Sequence, residues 1–169
     1  RLLEEVVVTA NRREEKLQDV AMAVTAVNPE EFINIGLASL SDILVYTPGF
    51  SSNNSGGTAN TGFLAVRGIT GDANGKGTAT VAVYVDDVAM TSSAPFGGGV
   101  TVSFDGLLGD VERVELLKGP QGTLYGAGAV GGAIKYVTRK PSLEEFSGTA
   151  AVDMSSITDG GSVGLYNAR

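Results

Sequence analysis

Asp110-Val111-Glu112-Arg113-Val114-Glu115-Leu116-Leu117-Lys118-Gly119-Pro120-Gln121-Gly122-Thr123-Leu124-Tyr125-Gly126 is the stretch on which the fold turns. Val111 to Leu117 is rich in apolar and β-branched residues and reads as a strand. Pro120 to Tyr125 is long enough for one helical turn. Ala133 to Thr138 then reads as a second strand, the last of its domain. The glycines between, Gly126, Gly128 and Gly131, match the spacing G-x-G-x-x-G of a dinucleotide-binding loop. That loop needs a helix after it and an acidic residue about 20 positions on. Ala133 to Thr138 is strand-like, and no acidic residue clearly ends a second strand at that distance. No G-K-[ST] sequence is present for a P-loop either.

Upstream, Val81, Val83 and Val85 alternate with Ala82 and Tyr84, the two-residue period of a strand. Asp86-Asp87 is a turn signal, and Val88 to Met90 would return as a hairpin. Phe63 to Ile69 contains a strand ending at Arg67-Gly68. Val20 to Val27 is expected to hold the first core strand. Asn28-Pro29-Glu30-Glu31 has the order of a helix start: a capping side chain, a proline at the first helical position, and a glutamate at the capping-box position. A second helix runs from a Ser39 cap through Leu40, Ile43 and Leu44 until Pro48-Gly49 stops it. Three polar, Gly-rich stretches, Ser51–Thr61, Thr70–Thr78 and Thr91–Gly99, read as loops. Near the N-terminus, Val6, Val7, Val8 and Thr9 favour extended backbone, and Asn11 to Lys16 reads as a polar linker. After Lys140-Pro141 the character changes. Gly148 to Met154 and Ser162 to Ala168 alternate around Asp159-Gly160-Gly161, which has hairpin-turn composition. Two short helices among non-consecutive strands define an α+β fold with a small mixed β-sheet and long Gly-rich loops.

Composition narrows the chemistry. The chain has 169 residues, of which 43% are hydrophobic, enough for one cored domain and a short appendage. Its 24 glycines exceed the usual usage of roughly 7%, so much irregular backbone is expected. There is no cysteine and no histidine, which removes disulfides, thiolate nucleophiles, Cys/His zinc sites and His-based triads. A net charge of −7 argues against a nucleic-acid partner. No apolar run reaches the roughly 18 residues of a transmembrane helix. The chain opens at Arg1 without an initiator Met and stops at Arg169 in mid-pattern, so we expect a segment of a longer chain. Asp86, Asp87, Asp105 and Asp110 are the candidate carboxylates for catalysis or calcium. No D-x-[DN]-x-[DN]-G loop surrounds them, and Asp86-Asp87 reads as a turn.

Several of these stretches together resemble the plug domain of TonB-dependent outer-membrane receptors. The resemblance is carried by residues 110–126 as quoted, by Gly131-Gly132-Ala133-Ile134-Lys135-Tyr136-Val137-Thr138, and by Thr47-Pro48-Gly49, Val66-Arg67-Gly68 and Tyr84-Val85-Asp86-Asp87-Val88, in the family's order and spacing. The stretch Glu5-Val6-Val7-Val8-Thr9-Ala10 is similar to a TonB box. The match spans about residues 4–141. One departure is Ala127, where relatives often carry Arg or another polar residue.

The resemblance implies a non-enzymatic gate inside an outer-membrane barrel of about 22 strands, with its N-terminus in the periplasm and no cofactor. Residues 1–16 would be the TonB-box segment and linker, 17–141 the plug, and 142–169 the first hairpin of a truncated barrel. That last piece supplies at most two spanning strands of about 9–11 residues each, whereas the smallest ordinary outer-membrane barrels need about eight strands. Implied partners are TonB with its inner-membrane energising complex, the chain's own C-terminal β-barrel, the outer membrane, and a small-molecule ligand. A ferric siderophore is the commonest ligand in the family; cobalamin, haem, nickel chelates and oligosaccharides stay open. TonB would pair with Glu5, Val6, Val7, Val8, Thr9 and Ala10 through main-chain hydrogen bonds. Arg67 and Lys118 match positions where basic residues face glutamates on the barrel wall. Ligand capture falls to the three loops, with Asn53, Asn54, Asn60, Asp72, Asn74, Lys76 and Phe96 as candidates. A stand-alone periplasmic binding or signalling module with a plug-like fold is the second reading.

Overall fold

The computed structural model describes residues 6–33, 35, 40–53, 61–70, 79–90, 101–102, 110–141, 150–155 and 163–168. In chain order the elements are β1 (Val7–Val8), β2 (Glu15–Lys16), β3 (Ala23–Val27), α1 (Pro29–Ile33), α2 (Leu40–Val45), β4 (Phe50–Asn53), β5 (Thr61–Val66), β6 (Ile69–Thr70), β7 (Val81–Val85), β8 (Val88–Ala89), β9 (Thr101–Val102), β10 (Val111–Lys118), α3 (Gly122–Tyr125), β11 (Gly132–Thr138), β12 (Ala150–Ser155) and β13 (Val163–Ala168). They fall into two units, Arg1–Arg139 and Lys140–Arg169.

The first unit is organised around β10. The stretch Val111–Lys118 pairs antiparallel with β3 on one side and with β11 on the other. β11 then runs parallel to β7, and β7 turns back into β8, giving a mixed sheet of order β3-β10-β11-β7-β8. A parallel neighbour needs a crossover connection. Here β7 precedes β10 and β11 in the chain, which is why the strand order is non-sequential. Both faces of β10 are covered, so its residues are buried without regard to alternation. Val114 and Leu116 point into one core with Ile134, Tyr136, Val81 and Val83. Leu117 points into a second core with Ala133, Ala82, Tyr84 and Tyr125.

The first core is closed by α2 and a second sheet. Leu40, Ile43 and Leu44 pack with Phe50 of β4 and with Leu64 and Val66 of β5. That sheet runs β4-β5-β6, with β9 also paired to β5. The helix start at Asn28 forms as its chemistry dictates: Asn28 Oδ1 accepts the Glu30 amide at 2.9 Å, with Pro29 at the first helical position. Asp86-Asp87 does make the β7–β8 turn. Asp86 has φ +50°, and its carboxylate accepts the Thr138 amide at 2.9 Å and the Thr138 hydroxyl at 2.8 Å. In the second unit β12 and β13 pair antiparallel from Ala150↔Ala168 to Ser155↔Val163; the Asp159-Gly160-Gly161 turn lies outside the described residues.

Three expectations change. The stretch Ser51–Thr61 is not loop throughout: Phe50–Asn53 is strand β4, in register with β5 from Phe50↔Val66 to Asn53↔Phe63. Ladder pairing and the burial of Phe50 override the weak strand preference of Ser51, Ser52 and Asn53. Asn11 to Lys16 is not a plain linker, since Glu15–Lys16 forms β2 and pairs with β1. The short strand β9 was not expected.

Gly132 fixes how closely the two sheets approach. A Cβ there would run into the Leu117 carbonyl oxygen and stand 3.2 Å from Val66 Cγ2. Backbone cannot yield as a flexible side chain can, so Gly132→Ala should lower stability by roughly 1–3 kcal/mol. At Gly122, in the first turn of α3, an added Cβ meets nothing within 4 Å. Gly122→Ala should leave stability unchanged or raise it by about 0.5–1 kcal/mol. Urea unfolding of the two variants beside the parent chain measures both.

Candidate functional site

The second core is roofed by the N-terminal segment. The extended preference of Val6 to Thr9 yields only a two-residue strand, β1, because the chain reverses at once. Arg12 adopts φ +56°, and its amide bonds to the Thr9 carbonyl at 2.9 Å, closing the turn. The Asn11 side chain donates to Glu15 Oε2 at 2.7 Å. β1 then pairs with β2 in the register Val7↔Lys16 and Val8↔Glu15, and the Leu17 amide bonds to the Val6 carbonyl at 2.9 Å. Val6 and Val7 are exposed at the start of the hairpin, whereas Val8, on the same face as Val6, is inserted at 0% exposure, followed by Ala10 at 1%. Leu17, Val20 and Met22 continue this cover over the sheet.

Under the roof sits Glu115, in the middle of β10 and 0% exposed. Its Oε1 accepts the Thr9 amide at 2.7 Å, the Thr9 hydroxyl at 3.2 Å and Arg113 Nε at 2.9 Å. Its Oε2 lies 3.4 Å from the same hydroxyl. Arg113 also reaches Glu112 at 2.6 Å. A carboxylate so deeply buried is tolerable only because it is paired and hydrogen-bonded. Each hydrogen bond to a charged group is worth roughly 1.5–3 kcal/mol, and an unpaired partner left behind costs the desolvation of that group. The carboxylate thus ties the leading segment to β10. Lys135, the cross-strand partner of Glu115, is also buried at 4% exposure and reaches Asp87 Oδ1 at 3.5 Å.

A second tie lies beside it. Tyr125 of α3 donates its hydroxyl to the Ala10 carbonyl at 2.7 Å. Tyr84 of β7 donates to the Tyr125 carbonyl at 3.0 Å, and the two rings meet edge to face at 5.1 Å. The Arg12 guanidinium lies 5.6 Å from the Tyr125 ring centre and 5.9 Å from that of Tyr84, within cation–π range. Neither Glu115 nor Tyr125 was singled out from sequence. The available signal was an acidic residue inside an otherwise apolar strand, between Val114 and Leu116.

The Arg67 side chain reaches Gly119, the residue after Lys118. Arg67 and Gly68 form the two-residue β5–β6 turn with φ +51° and +81°, the pattern of a type I′ turn. Asparagine or glycine is favoured at such a position, and an arginine held there costs of the order of 1 kcal/mol. The Arg67 amide bonds to the Gly49 carbonyl at 2.7 Å. Its side chain runs past Gly119: a Cβ built on that glycine would stand 4.0 Å from Arg67 Nη1. Gly119 directly follows Lys118, which ends β10. Arg67 is exposed and Lys118 half-buried. Of the loop candidates, Asn53 lies in β4. Asn54, Asn60, Asp72, Asn74, Lys76 and Phe96 lie outside the described residues, as does Glu5 of the N-terminal segment. Gly126, Gly128 and Gly131 lead into strand β11, where the dinucleotide fingerprint requires a helix.

A mixed sheet with few short helices is the architecture of a plug domain. The sequence model of the TonB-dependent Receptor Plug Domain matches residues 16–133, and the chain belongs to that family. It is 36% identical over 143 residues to the vitamin B12 transporter BtuB of Vibrio vulnificus strain CMCP6, covering 84% of this chain and 22% of that protein. Identity to the BtuB of strain YJ016 is 30% over 135 residues, or 79% of this chain and 20% of that protein. Among solved structures it resembles the ferric yersiniabactin uptake receptor FyuA of Yersinia pestis at 27% identity and a TM-score of 0.53, over 78% of this chain and 18% of that one. The alcaligin outer-membrane receptor FauA of Bordetella pertussis shares the fold, with a TM-score of 0.60 at 22% identity, over 88% of this chain and 24% of that one. The chain therefore spans about a fifth of the length of these relatives. As a plug of this family it belongs to the outer membrane, inside a receptor barrel.

Burial pushes the Tyr125 phenol from its ordinary 10.0 up to about 12; the Glu115 carboxylate adds to the rise and the Arg12 guanidinium opposes it. A raised folded value contributes stability that is whole below pH 10 and is lost as pH climbs through about 12. Spectrophotometric titration should show one of the five tyrosines ionising near pH 12, and Tyr125→Phe should abolish that step. The same substitution should cost roughly 1–3 kcal/mol by leaving the Ala10 carbonyl unpaired.

Proposed function

We propose that this domain is the gate of a receptor for active uptake of a scarce nutrient, with a ligand bound on its loops and TonB acting on its leading segment. The carrying observation is that a segment with strand β1 in it, Val6 to Ala10, stands ahead of a plug domain of this family and is tied to β10 of its sheet through Glu115. A strand-forming segment of this kind suits pairing with a partner's exposed strand edge. Drawing it out would withdraw Val8 and Ala10 from the second core and leave Glu115, Lys135 and Tyr125 facing water. A face with that much polar content would then favour hydration of the passage rather than re-closure on itself.

In this reading Arg67 and Lys118 are the plug's cationic anchors against acidic residues of its own barrel. The backbone strain kept at Arg67 supports this, because a turn needing only closure is better served by asparagine or glycine. Arg67 suits a bidentate carboxylate pair, and Lys118 acts as a point charge beside it. For the ligand we propose a ferric siderophore, the class handled by the ferric yersiniabactin receptor that this chain resembles. Cobalamin is the second reading, favoured by the 36% identity to a vitamin B12 transporter.

Two measurements test this. The C-terminal domain of TonB should bind a peptide spanning Leu3–Asn11, and a peptide of the same composition in scrambled order should bind far more weakly. Equal or absent binding of both peptides, with a known TonB-box peptide binding well, removes TonB from the account. Equilibrium binding to the full receptor should favour ferric siderophores over cobalamin; the reverse order selects the second reading.

A further inference from the structure

We propose that Lys135 is a positioning residue with two partners: it leans out to Asp87 while Thr9 occupies Glu115, and it crosses to Glu115 when Thr9 leaves. This rests on the reading of Val6 to Ala10 as a segment drawn out of the domain, and adds what happens to the place it vacates.

The inference starts from a charge that has little to hold it. Lys135 lies in the middle of β11 with its side chain 6% exposed. Its ion partner among the described residues is Asp87, at 3.5 Å, and the Asp87 side chain is 73% exposed. That distance exceeds the usual N–H···O range of about 2.7–3.2 Å. An ammonium has three donors, so most of its bonding capacity is idle in this arrangement. A charge buried on one long contact is poorly compensated.

The strand register points to the alternative partner. The Gly119 amide bonds to the Gly131 carbonyl at 3.0 Å, which makes these two a bonded pair. Pairing continues without a shift from Lys118↔Gly132 to Glu115↔Lys135. By alternation Glu115 and Lys135 are a bonded pair as well, directly opposed. Side chains so placed share a face, with Cβ atoms about 4.5–5.5 Å apart, a gap that the lysine stem spans by a change of rotamer. Charges alternate along this row: Asp87, Lys135, Glu115, Arg113. The ammonium therefore stands between two carboxylates. Glu115 is engaged by Thr9 and Arg113 through Oε1, while its Oε2 has one contact, at 3.4 Å, to the Thr9 hydroxyl. When Thr9 departs, both oxygens lose donors and only the Arg113 bond stays. The less solvated carboxylate then attracts the ammonium more strongly than exposed Asp87 does, because water and salt screen an exposed pair. Asp87, already hydrated, loses little. The exchange sets a donor of the sheet itself where Thr9 was, which eases release of the segment and delays its return.

Amide hydrogen exchange of the Val6–Ala10 stretch, followed in the full receptor without TonB, reads how firmly the segment is seated. Asp87→Asn keeps the side-chain size at an exposed site and leaves Glu115 as the carboxylate that Lys135 can reach. Exchange should quicken about two- to fivefold, the worth of an exposed pair. Lys135→Met removes the competitor for Glu115 at similar length, and exchange should stay equal or slow. In the double variant Asp87→Asn should add nothing. Amides of β10 and β11 should exchange as in the parent throughout, which checks the fold. An ordinary stabilising ion pair behaves differently: both single variants quicken exchange alike, and that result overturns the proposal. Unchanged exchange in Asp87→Asn overturns it too, as does an equal effect of Asp87→Asn with and without Lys135. Because TonB takes no part in this assay, its outcome and that of the Leu3–Asn11 peptide are read separately.

Discussion

The domain depends on the double engagement of β10. This strand is hydrogen-bonded on both edges and buried on both faces, so every other element of the first unit is positioned relative to it. β3 and the N-terminal hairpin lie to one side in sequence, α3 and β11 to the other, and both cores meet across it. A strand in that situation exposes no edge for unwanted pairing. It also carries any displacement of one core to the other, because packed interiors are dense and do not deform smoothly.

A buried carboxylate at the centre of such a strand is a poor choice for stability alone. Replacing a buried ion pair by well-packed apolar residues is often neutral or favourable, whereas removing one partner is costly. Glu115 with Arg113 and Thr9 therefore makes more sense as a device for position than as a source of stability. It fixes where the leading segment sits. An apolar contact of equal strength would hold the segment without fixing its register, since hydrophobic attraction has no direction.

The strained turns follow a related logic. Arg67 and Asp86 both sit at positive φ, where side chains pay a steric cost. Asp86 recovers it locally, through two hydrogen bonds to Thr138 that stitch the β7–β8 turn to the end of β11. At Arg67 the backbone amide bonds to Gly49 and the side chain is directed along Gly119 towards the end of β10. The turn thus sets the guanidinium beside Gly119, which follows Lys118, at the end of the sheet where β3 and β11 meet β10 at Ala23 and Gly132.

Much of the fold was legible in the chain. Strand propensity and alternation located β7, β10 and β11, capping chemistry located α1, the Asp86-Asp87 signal located the β7–β8 turn, and Arg67-Gly68 marked the end of β5. These are local effects, decided within a few residues. β4 was missed because Ser51, Ser52 and Asn53 have no strong strand preference and become a strand only when β5 offers a ladder, and β9 because two residues, Thr101 and Val102, are too few to show a period. The β1–β2 hairpin was missed for the same reason, and the polar run Asn11–Lys16 resembled a linker. The site was the least legible part: Glu115 and Thr9 are 106 positions apart, and Ala10 and Tyr125 are 115 apart. Sequence by itself determined the elements with a strong local preference, such as β7, β10, β11 and α1, because that preference is set by backbone sterics and nearest neighbours. Only the tertiary structure decided which of them meet and that the leading strand is held down, because a buried charge is satisfied by whatever donors the fold brings to it.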